Sequence, residues 1–170
     1  GTAQSRLYRV AADQGDITVT GTIDASGSTG GTIDLAAGGS VIVAGSSILR
    51  ASGENFSNAG QGGRITLTAG APRDGVANLA AILDVQSGSL LDLSVARAEA
   101  DSAFFGRLTG TLHLRAPRTA TGTDLAVAPV LGTIRNASSI LVEGYQVYDL
   151  TSTGGALTSG VQGTIRAEAQ

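Results

Sequence analysis

The chain has 170 residues, of which 25 are Gly, 3 are Pro and none is Cys, with a net charge of −3 and only 15% charged residues. This excludes a disordered charged tail, collagen, and disulfide scaffolds or thiolate chemistry; no apolar stretch approaches the ~18 residues of a membrane-spanning helix. The basic residues are all Arg, scattered from Arg6 to Arg166, so the clustered cations that neutralise phosphates are missing and nucleic acid is not an expected partner.

In chain order, one short phrase recurs: Gly, any residue, apolar, any residue, apolar. It appears at Gly15-Asp16-Ile17-Thr18-Val19, Gly31-Thr32-Ile33-Asp34-Leu35 and Gly39-Ser40-Val41-Ile42-Val43. It returns at Gly63-Arg64-Ile65-Thr66-Leu67 and Gly110-Thr111-Leu112-His113-Leu114, with weaker echoes from Gly132 and Gly163. A second phrase closes segments: Ile23-Asp24-Ala25-Ser26-Gly27 and Leu49-Arg50-Ala51-Ser52-Gly53. The period inside each phrase is two, which places Ile33 and Leu35 on one face of a strand and Asp34 on the other. Helical periodicity is nearly absent; residues 95–104 are Ala-rich but too short to nucleate a helix alone.

Strands this short and poor in aromatics do not fill a sandwich core about 10 Å thick. They fit stacked parallel strands, with Ile, Val, Leu and Ala inside and Gly, Ser, Asn and Asp at the corners. The reading is therefore all-β: a right-handed parallel β-helix (β-solenoid) with loop insertions. Residues 33–44 and 65–69 are expected as stacked strands. Gly30-Gly31, Gly38-Gly39 and Gly62-Gly63 are expected as corners, where φ > 0 favours Gly. At roughly 20–25 residues per turn the chain makes on the order of seven or eight turns. Insertions are expected near residues 74–81, 95–105 and 115–130, the last polar and carrying Pro117.

The phrases Gly21-Thr-Ile-Asp-Ala-Ser-Gly27, Gly30-Gly-Thr-Ile-Asp-Leu-Ala-Ala-Gly-Gly39 and Gly62-Gly-Arg-Ile-Thr-Leu-Thr-Ala-Gly70 resemble the repeat region of the filamentous haemagglutinin family. These are large bacterial exoproteins of the two-partner secretion type. Gly110-Thr-Leu-His-Leu-Arg-Ala-Pro-Arg118 and Ile140-Leu-Val-Glu-Gly-Tyr-Gln-Val-Tyr-Asp149 are similar to a recurring block in the same proteins. The resemblance implies a right-handed parallel β-helix, passage through an outer-membrane transporter barrel, and adhesion at the bacterial cell surface. It implies no catalytic residue. No match to the family's secretion-signal domain is found, so the chain reads as a single β-helix segment of the shaft, a piece of a larger exoprotein.

Several residues invite chemistry. Asp16, Asp24, Asp34, Asp84 and Asp92 are all readable as outward carboxylates, and two of them about 5–10 Å apart would suit glycosidic cleavage. Solubilising residues that alternate with the core explain them as well. His113 is the one histidine; it faces outward with no second His for a metal and no Ser at triad spacing, and reads as an exposed surface residue. Thr18/Thr20 and Thr66/Thr68 invite an ice-binding face, which Asp34, Ile42 and His113 would interrupt. The sequons Asn55-Phe56-Ser57 and Asn136-Ala137-Ser138 are near what chance supplies. No catalytic, metal or cofactor site is assigned.

The expected function is a structural and adhesive shaft segment, secreted and held at the bacterial surface, binding a receptor or glycan on a host or neighbouring cell. A carbohydrate-active β-helix enzyme, lyase or hydrolase, is the alternative, as is an autotransporter passenger. An enzyme needs three or four Asp, Arg or His converging in one groove. The ends carry no expected helix: Gly163-Thr-Ile-Arg-Ala-Glu-Ala-Gln170 reads as a strand phrase in mid-stride, so the chain is expected to associate end to end through open edges.

Overall fold

The computed structural model describes residues 1–55, 62–72, 78–97, 110–119 and 121–168. Strands account for 44% of it, beside one short helix, and every paired strand runs parallel to its neighbour. The protein is all-β. The chain forms β1 (Thr2–Gln4), β2 (Leu7–Ala12), β3 (Ile17–Val19) and β4 (Thr22–Asp24). It then forms β5 (Thr32–Ala37), β6 (Val41–Val43), β7 (Ile48–Arg50) and β8 (Gly53–Asn55). A third pass gives β9 (Arg64–Thr68), β10 (Leu83–Val85), β11 (Leu90–Asp92) and β12 (Val95–Arg97). Then come β13 (Thr111–Pro117), β14 (Thr133–Arg135), β15 (Ser139–Tyr145) and helix α1 (Ser159–Glu168).

Each pass revisits the same sheets. The long sheet has the order β15-β13-β9-β5-β2, a second sheet β1-β4-β7-β11-β14, and a third β10-β6-β3; β8 and β12 form a small fourth. The two-residue phrase explains the register. Ile33 lies opposite Tyr8 and Ile65, and Leu112 opposite Ile65 and Ile140. One phrase further, Val10, Leu35, Leu67, Leu114 and Val142 line up in the same way. On the second sheet Ile23, Leu49, Leu91 and Ile134 form a column. On the third, Val19, Val43 and Val85 do so. These columns meet in one apolar cluster whose middle members, including Ile33, Leu49, Ile65 and Leu83, are 0% exposed. Each such side chain contributes roughly 1.5–3 kcal/mol by leaving water.

The corners depend on close approach. None of Gly30, Gly31, Gly38, Gly39, Gly62 and Gly63 has a positive φ, against the expectation. A Cβ on Gly63 would instead overlap the carbonyl oxygen of Gly31, and one on Gly62 the amide nitrogen of Gly110. The backbone of one pass packs directly on the next, so any side chain there collides. Another corner repeats in Ser47 and Ser89, both buried. The Ser47 hydroxyl donates to the Val19 carbonyl at 2.6 Å and that of Ser89 to the Gln86 carbonyl at 2.7 Å.

Four expectations need correcting. Among the described residues the long sheet has five strands, fewer than the seven or eight passes expected. The step from Leu7 to Thr32 is close to the expected length, but that from Arg64 to Thr111 is nearly twice as long. The insertion expected over 115–130 begins later, because Arg115, Ala116 and Pro117 belong to β13, whose outward Arg115 keeps the strand's alternation. Val95–Arg97 is strand β12 rather than loop, and the rest of the 95–105 insertion lies outside the described residues. Within 74–81, residues 74–77 lie outside them too, and 79–80 form a turn. Of the phrase from Gly163, residues 163–168 are helical, as part of α1.

Candidate functional site: the charged outer rows

Two rows of outward side chains carry the charge. On the second sheet, the residue after each column member faces out, and register aligns Gln4, Asp24, Arg50, Asp92 and Arg135. Acid and base alternate from Asp24 onward. Arg50 Nη1 lies 3.3 Å from Asp24 Oδ2, and its Nε lies 3.8 Å from Asp92 Oδ2. Arg135 Nη1 reaches Asp92 Oδ2 at 3.3 Å. The sequence shapes each acid locally through Asp-x-Ser. Asp24 Oδ1 accepts the Ser26 N–H at 2.9 Å and its hydroxyl at 2.5 Å. Asp92 Oδ1 accepts the same pair from Ser94 at 3.2 and 2.6 Å. Burial pushes the Asp24 carboxyl up, but Ser26 and then Arg50 outweigh it and hold it below the ordinary carboxylate range.

The other row lies on the long sheet. Arg9 Nε pairs with Asp34 Oδ2 at 3.1 Å across two strands. Further along, Glu143 on β15 receives His113 Nε2 at 2.7 Å and Arg115 Nε at 3.1 Å, both from β13. Hydrogen bonds from Arg115, then His113, pull the Glu143 carboxyl below its usual range. The Arg115 guanidinium also lies 5.6 Å from the centre of the Tyr145 ring, a cation–π distance. The Tyr145 hydroxyl donates to the Ala69 carbonyl at 2.7 Å, and burial raises its pKa.

Of the five expected carboxylates, four are spread over three sheets and Asp16 lies just ahead of β3. Asp24 and Asp92 flank Arg50, Asp34 pairs with Arg9, Asp16 accepts the Ser40 N–H at 2.7 Å, and Asp84 accepts from Gln86 at 2.9 Å. Asp92 is not the exposed solubilising residue expected, since its side chain is only 6% exposed. His113 faces outward as read but is held by Glu143, a partner that sequence reasoning passed over. The signal lay in the alternation of Ser139–Tyr145: it puts Glu143 on the outer face, opposite Arg115. The threonine rows are broken, because Thr18 aligns with Ile42 and Asp84, and Thr66 with Asp34 and His113. Thr68 is buried rather than presented to solvent. Of the sequons, Asn136 is exposed with φ 50°, while Phe56 and Ser57 lie outside the described residues.

Chemically, these rows occupy their carboxylates with cations, and at Asp24 and Glu143 the pairing favours the ionised form. A glycosidase-type proton donor needs the opposite, a carboxyl whose pKa is raised. One cavity of about 410 Å³ opens at one end of the core among Tyr8, Val10, Ile17, Val19, Ile23 and Leu35. Another, about 290 Å³, is lined by Arg118, Thr119, Thr121, Gly122, Gln146 and Glu168 of α1. Neither is lined by the His113–Glu143–Arg115 cluster or the Asp24–Arg135 ladder. Among the described residues no three His, Cys, Asp or Glu side chains gather as a metal site, and no helix is long and apolar enough to cross a membrane. No family model matches the chain, and comparisons with curated proteins and with solved structures find no match.

Proposed function

We propose that the chain is a right-handed parallel β-helix and serves as a structural, adhesive shaft segment of a secreted bacterial surface protein of the filamentous haemagglutinin type. The cyclic return of the chain to three parallel sheets supports the helix, and the general preference of parallel crossovers supports its hand. The observation that carries the shaft reading is the outer charge. Asp24, Arg50, Asp92 and Arg135 neutralise one another along the stacking direction, and Glu143 is taken up by His113 and Arg115. Such pairing holds neighbouring passes together and leaves a charge-patterned outer surface suited to a receptor or glycan rather than to an enclosed substrate. In this reading the chain reaches the cell surface through an outer-membrane transporter barrel.

The test compares binding with turnover. The purified chain, immobilised, is expected to retain cells or members of a glycan panel while releasing no new reducing or unsaturated ends from the same glycans. Saturable depolymerisation that His113→Ala or Asp92→Asn abolishes would replace this reading with the enzymatic one.

A further inference from the structure

We propose that two copies of the chain pair face to face through the outer side of the second sheet, with their passes running in opposite directions about a twofold axis between β7 and β11. Alternation sets that face. Ile23, Leu49 and Leu91 point into the core, so the residues before and after each of them point out. Register then makes two outer rows. One is the charged row of Asp24, Arg50, Asp92 and Arg135. The other, two residues earlier on each strand, is Thr22, Ile48, Leu90 and Thr133. In this second row Ile48 and Leu90 lie opposite each other on paired strands, and both are partly exposed. Two apolar side chains thus sit together on the outside, with a hydroxyl at either end of the row.

Both rows are self-complementary when the order of the passes is reversed. A twofold axis parallel to the strands and midway between β7 and β11 lays β7 over β11 of the second copy, and β4 over β14. Ile48 then meets Leu90, and Thr22 meets Thr133, each contact being made twice. In the charged row Arg135 meets Asp24 of the second copy, and Arg50 meets Asp92. Every facing pair is unlike. A twofold axis along the charged row instead lays Asp24 on Asp24 and Arg135 on Arg135, so charge selects the reversed arrangement. The match is a property of the alternation and does not depend on how many passes the row contains. The cations are the groups that reach across: Arg135 and Arg50 are 54% and 37% exposed, above Asp24 at 16% and Asp92 at 6%. Four strands at ~4.8 Å spacing, with three residues of ~3.3 Å in each, cover roughly 200 Å² of a plane. That is small beside a standard interface of about 800 Å² per partner, so the pair is a transient one. It closes at two copies, because both contribute the same patch. The inference rests on the strand registers and not on the adhesive reading, and the two fail separately.

Sedimentation velocity on the 170-residue chain from about 10 μM to about 1 mM is the first measurement. The sedimentation coefficient is expected to rise with concentration and level off at that of a dimer. Ile48→Lys sets an ammonium over Leu90 of the second copy, and Leu90→Glu sets a carboxylate over Ile48. Each variant alone is expected to stay monomeric throughout. An equimolar mixture is expected to dimerise again. There the new ammonium faces the new carboxylate at one contact, while Ile48 and Leu90 keep the other. Thr22→Lys and Thr133→Glu repeat the test at the outer contacts, and far-ultraviolet circular dichroism checks that each variant is folded. Four results overturn the proposal: a wild-type monomer at every concentration, growth past the dimer, single variants that still dimerise, or mixtures of folded variants that stay monomeric.

Discussion

Asp92 Oδ2 holds Arg135 at 3.3 Å with the Asp92 side chain only 6% exposed, and the same oxygen lies 3.8 Å from Arg50 Nε. One carboxylate thus separates two guanidiniums that arrive from the strands on either side. Replacing it by Ala leaves those cations facing each other and strips the Ser94 hydroxyl and N–H of their acceptor. Asp92→Ala is expected to cost about 1–3 kcal/mol in urea unfolding. Arg135→Ala removes a side chain that is more than half exposed and is expected to cost under ~1 kcal/mol. Equal losses would show that the row has no buried centre.

That burial was not legible in the sequence, because Arg135 lies 43 positions from Asp92. Only the pass length brings them together, and insertions lengthen the passes irregularly. The outward facing of Asp24 and Asp34 was legible, since alternation is decided within three residues. Glu143 was readable as outward, but its partners depend on which strand lies beside it.

Acid should weaken the fold through two groups. Asp24 titrates below its ordinary 3.8 and Glu143 below its ordinary 4.5. Each binds protons less readily in the folded chain than in the unfolded one. Its contribution is therefore complete above the unfolded value and lost as pH falls through the folded one. The melting temperature is expected to stay level, as far as these groups decide it, down to about pH 5 and to drop below that. Asp24→Asn combined with Glu143→Gln is expected to lower the neutral-pH value and flatten the acid slope. An unchanged slope in the double variant would assign the acid loss to other carboxyls.

Facing can be tested at neighbouring positions. Ile33 is 0% exposed between Tyr8 and Ile65, while Asp34 faces outward to Arg9. Ile33→Ala is expected to cost about 2–5 kcal/mol through lost transfer and a cavity, and Ile33→Asp to unfold the chain. Asp34→Asn weakens an exposed pair and is expected to change stability by under ~1 kcal/mol. Similar melting losses for Ile33→Ala and Asp34→Asn would mean the strand is turned the other way.

The columns through Ile33 and Ile65 were readable because a period of two is local and Gly marks where each strand begins. The C-terminal phrase misled for the same reason. Gly163-Thr-Ile-Arg contains one apolar residue and no alternation long enough to separate strand from helix. What decides it is contact: Glu168 anchors the end of α1 to Arg118, Gln146 and Tyr148, none of them near it in sequence.

Glycine at the corners and glycine in α1 should therefore respond oppositely to the same substitution. At Gly63 a Cβ would overlap the Gly31 carbonyl oxygen and lie 2.7 Å from that of Ala51. Both obstacles are backbone atoms held in the parallel stacking, so neither can swing aside as a side chain would. Gly63→Ala is expected to cost about 3 kcal/mol, the upper part of the range for overpacking. Around Gly163 nothing lies within 4 Å of an added Cβ, and the residue sits inside α1. There the methyl group only removes backbone freedom from the unfolded chain. Gly163→Ala is expected to stabilise the helix by about 0.5–1 kcal/mol. Far-ultraviolet circular dichroism followed through thermal melting reads both. Loss of strand signal at a lower temperature is the outcome for Gly63→Ala, and a modest gain of helical signal for Gly163→Ala. If Gly63→Ala melts with the wild type, the passes are not packed backbone to backbone at that corner. If Gly163→Ala lowers the helical signal, that segment is strand after all.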